Sequence, residues 1–495
     1  MRTTSLFFSV LLFILSCGEE KQDETTEDAS TPNIVLIVVD DQGYADFTPF
    51  ETNDSLVETP NISRLGADGT IFTQAYVTAP VCSPSRAGIL TGKNQFRWDK
   101  PASWGPGLPD EVKTLPEYLK EAGYETARIG KNDLGRNFHK YDVREYPLNH
   151  GYDEFLGFSA HAHDYWHNSS EMAQRTPDPK ATSALLGPLM HNDSIKSYEE
   201  GYLTDILTDE SIDYIKRKRD KPFFLTLSYN AVHHLIHEVP QKYLDKYGAK
   251  PIPNYDPDSL MTYGKWDAGT YSAYYDKYSR VGAIESDEMR AYYLANLNCL
   301  DDNIGRFLDA LKTENLDKNT VIVFVSDNGG SPLTGANNAP LTGGKYSLWE
   351  GGIRVPMAIV WPEQIGKGKK VDDYVSATDI MPTLAEFANI KLNDSTLDGK
   401  NLLKPVKDRL LVWKWQKTWA VRLGNWKLTN AKENHWKSDP TDQYIAPVAD
   451  NMELKLFNVQ TDPGEREDLA AEHPEKVEEL EKAYLKWCEE NLNHF

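Results

Sequence analysis

Two apolar, largely β-branched runs that end in the same kind of turn constrain this chain more than anything else in it. Residues 34–39 read Ile-Val-Leu-Ile-Val-Val and lead into Asp40, Asp41, Gln42 and Gly43. Residues 320–325 read Thr-Val-Ile-Val-Phe-Val and lead into Ser326, Asp327, Asn328, Gly329 and Gly330. A run without polar alternation fits a strand covered on both faces, the usual state of a strand in a parallel sheet. Further strand candidates lie at 126–129, 223–229 and 356–361, with helical patterns between them. The clearest helix carries Tyr293, Leu297, Leu300, Ile304, Phe307 and Leu311 along one face, in alternating steps of four and three. Strands alternating with helices predict an α/β fold: a large mixed, mostly parallel sheet sandwiched by helices. Ligands of such sheets gather beyond the carboxyl ends of the strands, where both acidic turns lie.

The chain has 495 residues, 40% of them hydrophobic and 26% charged, enough for one large core and a smaller domain. Its 53 Lys and Arg against 75 Asp and Glu give a net charge of -22, which argues against general affinity for nucleic acid or anionic membrane. The N-terminus reads as an export signal, with Arg2, the apolar stretch 6–15 and Ser16-Cys17-Gly18. That stretch is too short to span a bilayer permanently. Ile14-Leu15-Ser16-Cys17 resembles a bacterial lipobox, which implies an exported lipoprotein of the periplasm or outer membrane, attached only through a lipid on Cys17. Residues 18–31 read as an acidic, solvated tether. The expected division is then 32–390 for a catalytic domain and 391–495 for a C-terminal α+β subdomain. The latter has short strands such as 410–415 and 419–423, and a final helix from Pro474. Of the four cysteines, at 17, 82, 299 and 488, the last two fit small core residues, and together they are too few and scattered for a disulfide framework or a zinc site.

If the two acidic turns are neighbours, Asp40, Asp41, Asp327 and Asn328 converge. Carboxylates ~4 Å apart in a protein environment repel by roughly 4 kcal/mol per pair, so the cluster calls for a cation. All-oxygen ligands favour calcium or magnesium over zinc. A second feature is the segment Cys82-Ser83-Pro84-Ser85-Arg86. Ser83 suits an N-cap and Pro84 the first helical position, which predicts that Cys82 lies beside free backbone N–H groups, a favourable place for an anion.

With Gly88 to Gly92 after it, the pattern Cys82-x-Pro84-x-Arg86 resembles the maturation signature of the type I sulfatases, in the alkaline phosphatase superfamily. The resemblance takes in Asp40-Asp41, Gly130-Lys131, Asn230-Ala231-Val232-His233 and Ser326-Asp327-Asn328-Gly329. It continues through Gly343-Gly344-Lys345, Glu350 to Arg354, Thr378 to Thr383 and Asp462-Pro463-Gly464-Glu465. It implies an alkaline phosphatase-like fold and one calcium ion held by Asp40, Asp41, Asp327, Asn328 and the modified Cys82. It also implies that a formylglycine-generating enzyme oxidises Cys82 to an aldehyde, whose hydrate attacks the sulfur of a sulfate ester. Arg86 would hold the nucleophile or its neighbours, and Lys131 and Lys345 the sulfate oxygens. His233 would protonate the leaving oxygen.

Two departures from the family pattern stand out. Asp133 occupies the place of a usual histidine, and it is expected to accept a hydrogen bond from the hydrated aldehyde instead. Val232 stands where proline usually precedes the histidine. The segment 159–168, with His161, His163, Asp164, Tyr165, Trp166 and His167, is either a sugar-lining loop or a structural one. Arg97, Trp98, Arg136 and His139 follow motif segments and are candidates to reach the substrate. The expected substrate is a sulfated poly- or oligosaccharide, of algal type such as ulvan or carrageenan, or a glycosaminoglycan. Competing readings are a phosphodiesterase or phosphonate hydrolase on the same fold, and a protein that binds sulfated glycans without cleaving them.

Overall fold

Both apolar runs become central strands of one ten-stranded sheet. In spatial order it comprises β12 (Lys369–Val371), β2 (Thr70–Phe72), β11 (Met357–Val360), β9 (Thr320–Ser326), β1 (Asn33–Val39), β8 (Phe223–Ser228), β4 (Glu125–Lys131), β5 (Glu154–Phe158), β6 (Met190–His191) and β7 (Ser194–Ile195). The five strands from β9 to β5 are parallel, while β11 and β6 run antiparallel on either side of them. The computed structural model describes residues 31–51, 54–99, 105, 107–135, 141–166, 189–250, 286–362, 364–431 and 453–492, leaving aside the side chains of residues 286 and 287. The lipobox, the tether up to residue 30, Arg136, His139 and His167 lie outside the described residues.

The absence of polar alternation in β1 and β9 has the expected cause. Val35, Ile37 and Val39, with Ile322 and Phe324, pack under a layer that includes the helices Leu203–Ile215 and Ser286–Thr313. Ile34, Leu36 and Val38, with Val321, Val323 and Val325, pack on the other side, against residues of the helices Cys82–Thr91, Leu115–Glu121 and Ile380–Phe387. Successive side chains of a strand point to opposite faces, so both faces must be apolar. Each aliphatic side chain so buried contributes about 1.5–3 kcal/mol before entropy is counted. The six residues that define the apolar face of the helix Ser286–Thr313 are all buried.

A small three-stranded sheet has the order β10 (Arg354–Val355), β3 (Ala75–Tyr76) and β13 (Val375–Ser376). The C-terminal sheet is antiparallel: β14 (Leu410–Trp415), β15 (Thr418–Leu423), β16 (Trp426–Thr429) and β17 (Lys455–Asn458). The helix Pro474–Asn491 covers it, with Tyr484 stacked on Trp419 at 4.2 Å between ring centroids. This sheet is bonded to the rest of the fold. Trp413 Nε1 donates to the Val77 carbonyl at 2.7 Å, and Asn94 Nδ2 to the Val412 carbonyl at 2.7 Å. The buried Lys427 ammonium reaches Glu350 at 3.1 Å and Glu465 at 2.8 Å.

Candidate active site

Parallel pairing brings the chemistry to one edge. Val39 is level with Ser326 across β1 and β9, Val38 with Ser228 across β1 and β8, and Gly130 with Ser228 across β4 and β8. The residues that follow these positions are Asp40 and Asp41, Asp327 and Asn328, the 229–233 turn with His233, and Lys131 to Asp133. All are buried, and so are Cys82, Arg86 and Lys345. Close approach of backbones here depends on glycine. A Cβ at Gly329 would sit 1.8 Å from the Gly351 carbonyl oxygen, and one at Gly130, whose φ is +107°, would sit 1.9 Å from that of Ser228.

Local folding differs from the sequence expectation at Cys82. The helix begins at Cys82 itself, with Val81 as an extended N-cap whose carbonyl accepts from the Ser85 N–H at 3.3 Å. Ser83 is therefore inside the helix, its Oγ without a hydrogen-bond partner, and Pro84 is the third helical residue. Proline is harmless anywhere in the first turn because N–H groups there have no intrahelical acceptor, so the Ser-Pro pair did not fix the start. Cys82 still lies among the free N–H groups of the first turn.

The charged groups interlock. Lys131 Nζ donates to Asp40 Oδ2 at 2.6 Å, and Lys345 Nζ to Asp41 Oδ2 at 2.7 Å. Arg86 donates from Nε to Asp327 Oδ2 at 2.8 Å and from Nη1 to Ser228 Oγ at 2.7 Å. Asn328 Nδ2 donates to Asp41 Oδ1 at 2.7 Å, and His233 Nε2 lies 3.7 Å from Asp41 Oδ2. Asp133 stands 3.2 Å from Lys131 Nζ and is hydrogen-bonded to Nδ1 of His161.

Burial pulls both lysines down, but Asp40 beside Lys131 and Asp41 beside Lys345 outweigh it, so both stay charged. Burial pushes Asp327 up to about 6, with Asp40 adding to the rise and Arg86 opposing it. The same desolvation raises the Cys82 thiol, which is a thiol and not a thiolate at neutral pH. His233 is pressed well below its ordinary value by burial, then by Lys345 and its ring neighbour His234. An imidazole held this way is neutral in the free site, whereas the sequence-based expectation is that it protonates the leaving oxygen.

Asp40, Asp41, Cys82 and His233 each present one donor atom within 4.8 Å of the others. Asp40 Oδ1 and Asn328 Oδ1 are buried with no hydrogen-bond partner among the described residues. Two orphaned oxygens beside clustered carboxylates fit a hard divalent cation, since leaving such atoms unsatisfied costs about 1–3 kcal/mol each. Asp327, expected as a ligand, stands outside that group of four, its oxygens engaged by Arg86 Nε and, at 3.3 Å, by the Asp41 N–H.

The candidate substrate residues divide. Arg97 is engaged within the fold. Its guanidinium forks onto Asp398 at 2.8 and 2.6 Å and lies over the Trp487 ring, latching the terminal helix. His161 is joined to Asp133. His163 is buried, its Nδ1 bonded to the Asp164 carbonyl at 2.8 Å. Trp166 is exposed beside Tyr202. Their loop packs next to the site, because Tyr165 donates from its hydroxyl to the Asn230 carbonyl at 3.1 Å. Sequence reading missed Arg128, a buried cation inside an apolar strand, whose Nε and Nη2 hold the Lys131 carbonyl at 3.1 and 2.5 Å. A charge in the middle of a strand pattern was the available signal. Ser228, the partner of Arg86, carried no signal.

Known proteins resemble this chain over most of its length. Residues 32–390 match the family model for sulfatases, and residues 344–490 match the model for the C-terminal part of N-sulphoglucosamine sulphohydrolase. Mouse arylsulfatase J is 28% identical over 93% of this chain and 76% of its own length. Human N-acetylgalactosamine-6-sulfatase is 29% identical over 91% of this chain and 84% of its own. Among solved structures, Ps i-CgsB in complex with k-i-k-neocarrahexaose superposes with a TM-score of 0.71 at 28% identity, covering 92% of each chain. The chain belongs to the formylglycine-type sulfatase family of the alkaline phosphatase superfamily and is a sulfuric ester hydrolase.

Proposed function

We propose that this chain removes sulfate from a sulfated poly- or oligosaccharide, with Cys82 as the precursor of its nucleophile. The observation that carries this reading is the enclosure of Cys82 by two buried ammonium groups and a carboxylate cluster at the sheet edge. A carbohydrate substrate is supported by the relatives, one named for N-acetylgalactosamine 6-sulfate and one solved with a neocarrahexaose.

The chain's own residues divide the work. Lys131 and Lys345 keep their charge in a water-poor site and are preorganised to draw the oxygens of a sulfate group toward Cys82. Arg86 fixes Asp327 and the ends of β8 and β4, which keeps those charges from relaxing. Asp40, Asp41 and Asn328 would hold calcium, with the group at position 82 completing the set and Asp327 joining it by giving up its long contact with the Asp41 N–H. When bound, the metal polarises sulfate oxygens. Formylglycine, once formed from Cys82, supplies a hydrated aldehyde as nucleophile. His233, neutral in the free site, is poised to form a hydrogen bond to the oxygen that departs. The same reading takes Cys17 as the lipidated N-terminus of an exported lipoprotein.

The test is mass spectrometry of the Cys82 peptide from protein made with a maturase, followed by sulfate release. Conversion of thiol to aldehyde lowers the mass by about 18 Da. Matured protein is expected to release sulfate from carrageenan or glycosaminoglycan oligosaccharides and to lose that activity in chelator. A thiol that persists under maturing conditions, or matured protein that retains sulfated glycans without releasing sulfate, overturns the proposal.

A further inference from the structure

The loops after β4 and β5 place two residues together that lie 28 positions apart. Lys131 is level with Phe158 across these parallel strands, so Asp133, two residues past one strand, meets His161, three residues past the other. Asp133 is wholly buried, at φ 51°, a left-handed backbone that Asp tolerates better than most residues. Its Oδ1 bonds Nδ1 of His161, and its Oδ2 lies 3.2 Å from Lys131 Nζ without the alignment of a hydrogen bond. Lys131 Nζ continues to Asp40 at 2.6 Å. The side chain of His161 is 19% exposed, so this line of groups runs from the rim of the site to its buried centre.

We propose that His161 is a positioning residue of the reaction that acts through Asp133, holding the carboxylate with Oδ2 turned toward Lys131 and the reacting group at position 82. This rests on the sulfatase reading above. An ionised carboxylate only accepts hydrogen bonds, so Nδ1 of His161 carries the proton between them. Burial alone would raise Asp133, but His161 and then Lys131 hold it low, and it stays charged. Without the imidazole, half of a buried carboxylate loses its partner and the group is free to turn about its last torsion. Oδ2 would then leave Lys131 and the position from which it accepts a hydrogen bond from a hydroxyl at 82.

The arrangement separates this role from a substrate contact. A residue that binds substrate alike in ground and transition states raises KM when removed, while one that holds the reacting groups lowers kcat. Matured wild type, His161→Phe, His161→Asn, Asp133→Asn and the double variant Asp133→Asn/His161→Phe are compared on 4-nitrocatechol sulfate and on carrageenan oligosaccharides. His161→Phe is expected to lower kcat about 10- to 100-fold with KM unchanged, the range for a hydrogen bond to a charged group. His161→Asn, whose amide can donate from nearly the place of Nδ1, restores most of the loss. The double variant is no worse than the weaker single one. Unchanged kcat in a folded His161→Phe, or a rise in KM alone, overturns the proposal. A second readout needs no turnover: in the Cys82→Ser protein, proton NMR should show a slowly exchanging Nδ1–H of His161 that disappears in Asp133→Asn. Its absence before that substitution also overturns the proposal. A wild type that releases no sulfate, with the NMR signal intact, fails the sulfatase reading instead and leaves the pair standing.

Discussion

At the scale of single residues, the groups to which the proposed function assigns chemistry were legible when they sat in the turns that end strands. Asp40, Asp41, Asp327 and Asn328 follow apolar runs, and parallel pairing makes such ends converge. Partnerships formed across the chain were not legible. Arg97 was read as a substrate contact because it follows the Cys82 helix, yet its partner Asp398 is 301 residues away. His161 and Asp133 meet only because β4 and β5 are neighbours.

Another residue sets an acid limit on stability. His150 is wholly buried, its Nδ1 against the Arg144 carbonyl at 3.1 Å and its Nε2 unpartnered. Burial, then Arg128, press it from 6.5 down to about 3. As pH falls through this window the unfolded chain takes up a proton that the folded chain refuses, so this contribution to stability is complete above 6.5 and declines toward 3. His150→Phe, which keeps a ring against Tyr152, is expected to make the melting temperature less sensitive to pH between about 6.5 and 4. Thermal melts of the two proteins across that range check it; parallel curves would exclude His150 as a source of the slope.

At the scale of elements, strand and helix positions followed from periodicity, since both faces of the sheet and one face of the helix Ser286–Thr313 had to be apolar. Boundaries followed less well. The helix at Cys82 starts earlier than its Ser-Pro pair implied, because proline limits only where a helix cannot continue. The three strands of the small sheet have two residues each, too short for any period to appear. Elements also depend on how closely backbones approach. Gly130 lies in β4 one residue before Lys131, and its φ of +107° together with the 1.9 Å approach of a Cβ to the Ser228 carbonyl leaves no room for alanine. Gly130→Ala is expected to cost more than the roughly 1–3 kcal/mol of backbone strain alone, since β4 and β8 must also separate. Soluble yield and a thermal melt measure this. A variant as stable as wild type would mean that the strands adjust without loss.

At the scale of the molecule, the change of texture after residue 390 marks a smaller α+β subdomain packed on the first, and the contacts show which residues hold it there. Residues from Thr31 onward form one compact unit. Lys427 of β16 is wholly buried between Glu350, the first residue of the short helix Glu350–Ile353, and Glu465. The C-terminal strands were visible as short strand-like pieces, but the residues that attach them were not, because a buried lysine looks like any other until its partners are placed. Lys427→Met leaves two buried carboxylates short of a partner and is expected to lower stability by about 3–5 kcal/mol. Calorimetry should still record one transition, at lower temperature. Two separated transitions would show that the C-terminal sheet unfolds independently.

Cys82 is 4% exposed, and every residue of its helix is buried. No enzyme can seize a side chain enclosed in this way, nor draw out its flanking backbone, without undoing the sheet edge built around it. Under the proposed function, oxidation of this cysteine would therefore belong to the interval between synthesis and folding, and folding would set the deadline. Chain that closes first would be trapped as an inert thiol form, so the yield of competent enzyme would be decided by a race whose outcome no later encounter with a maturase could reverse.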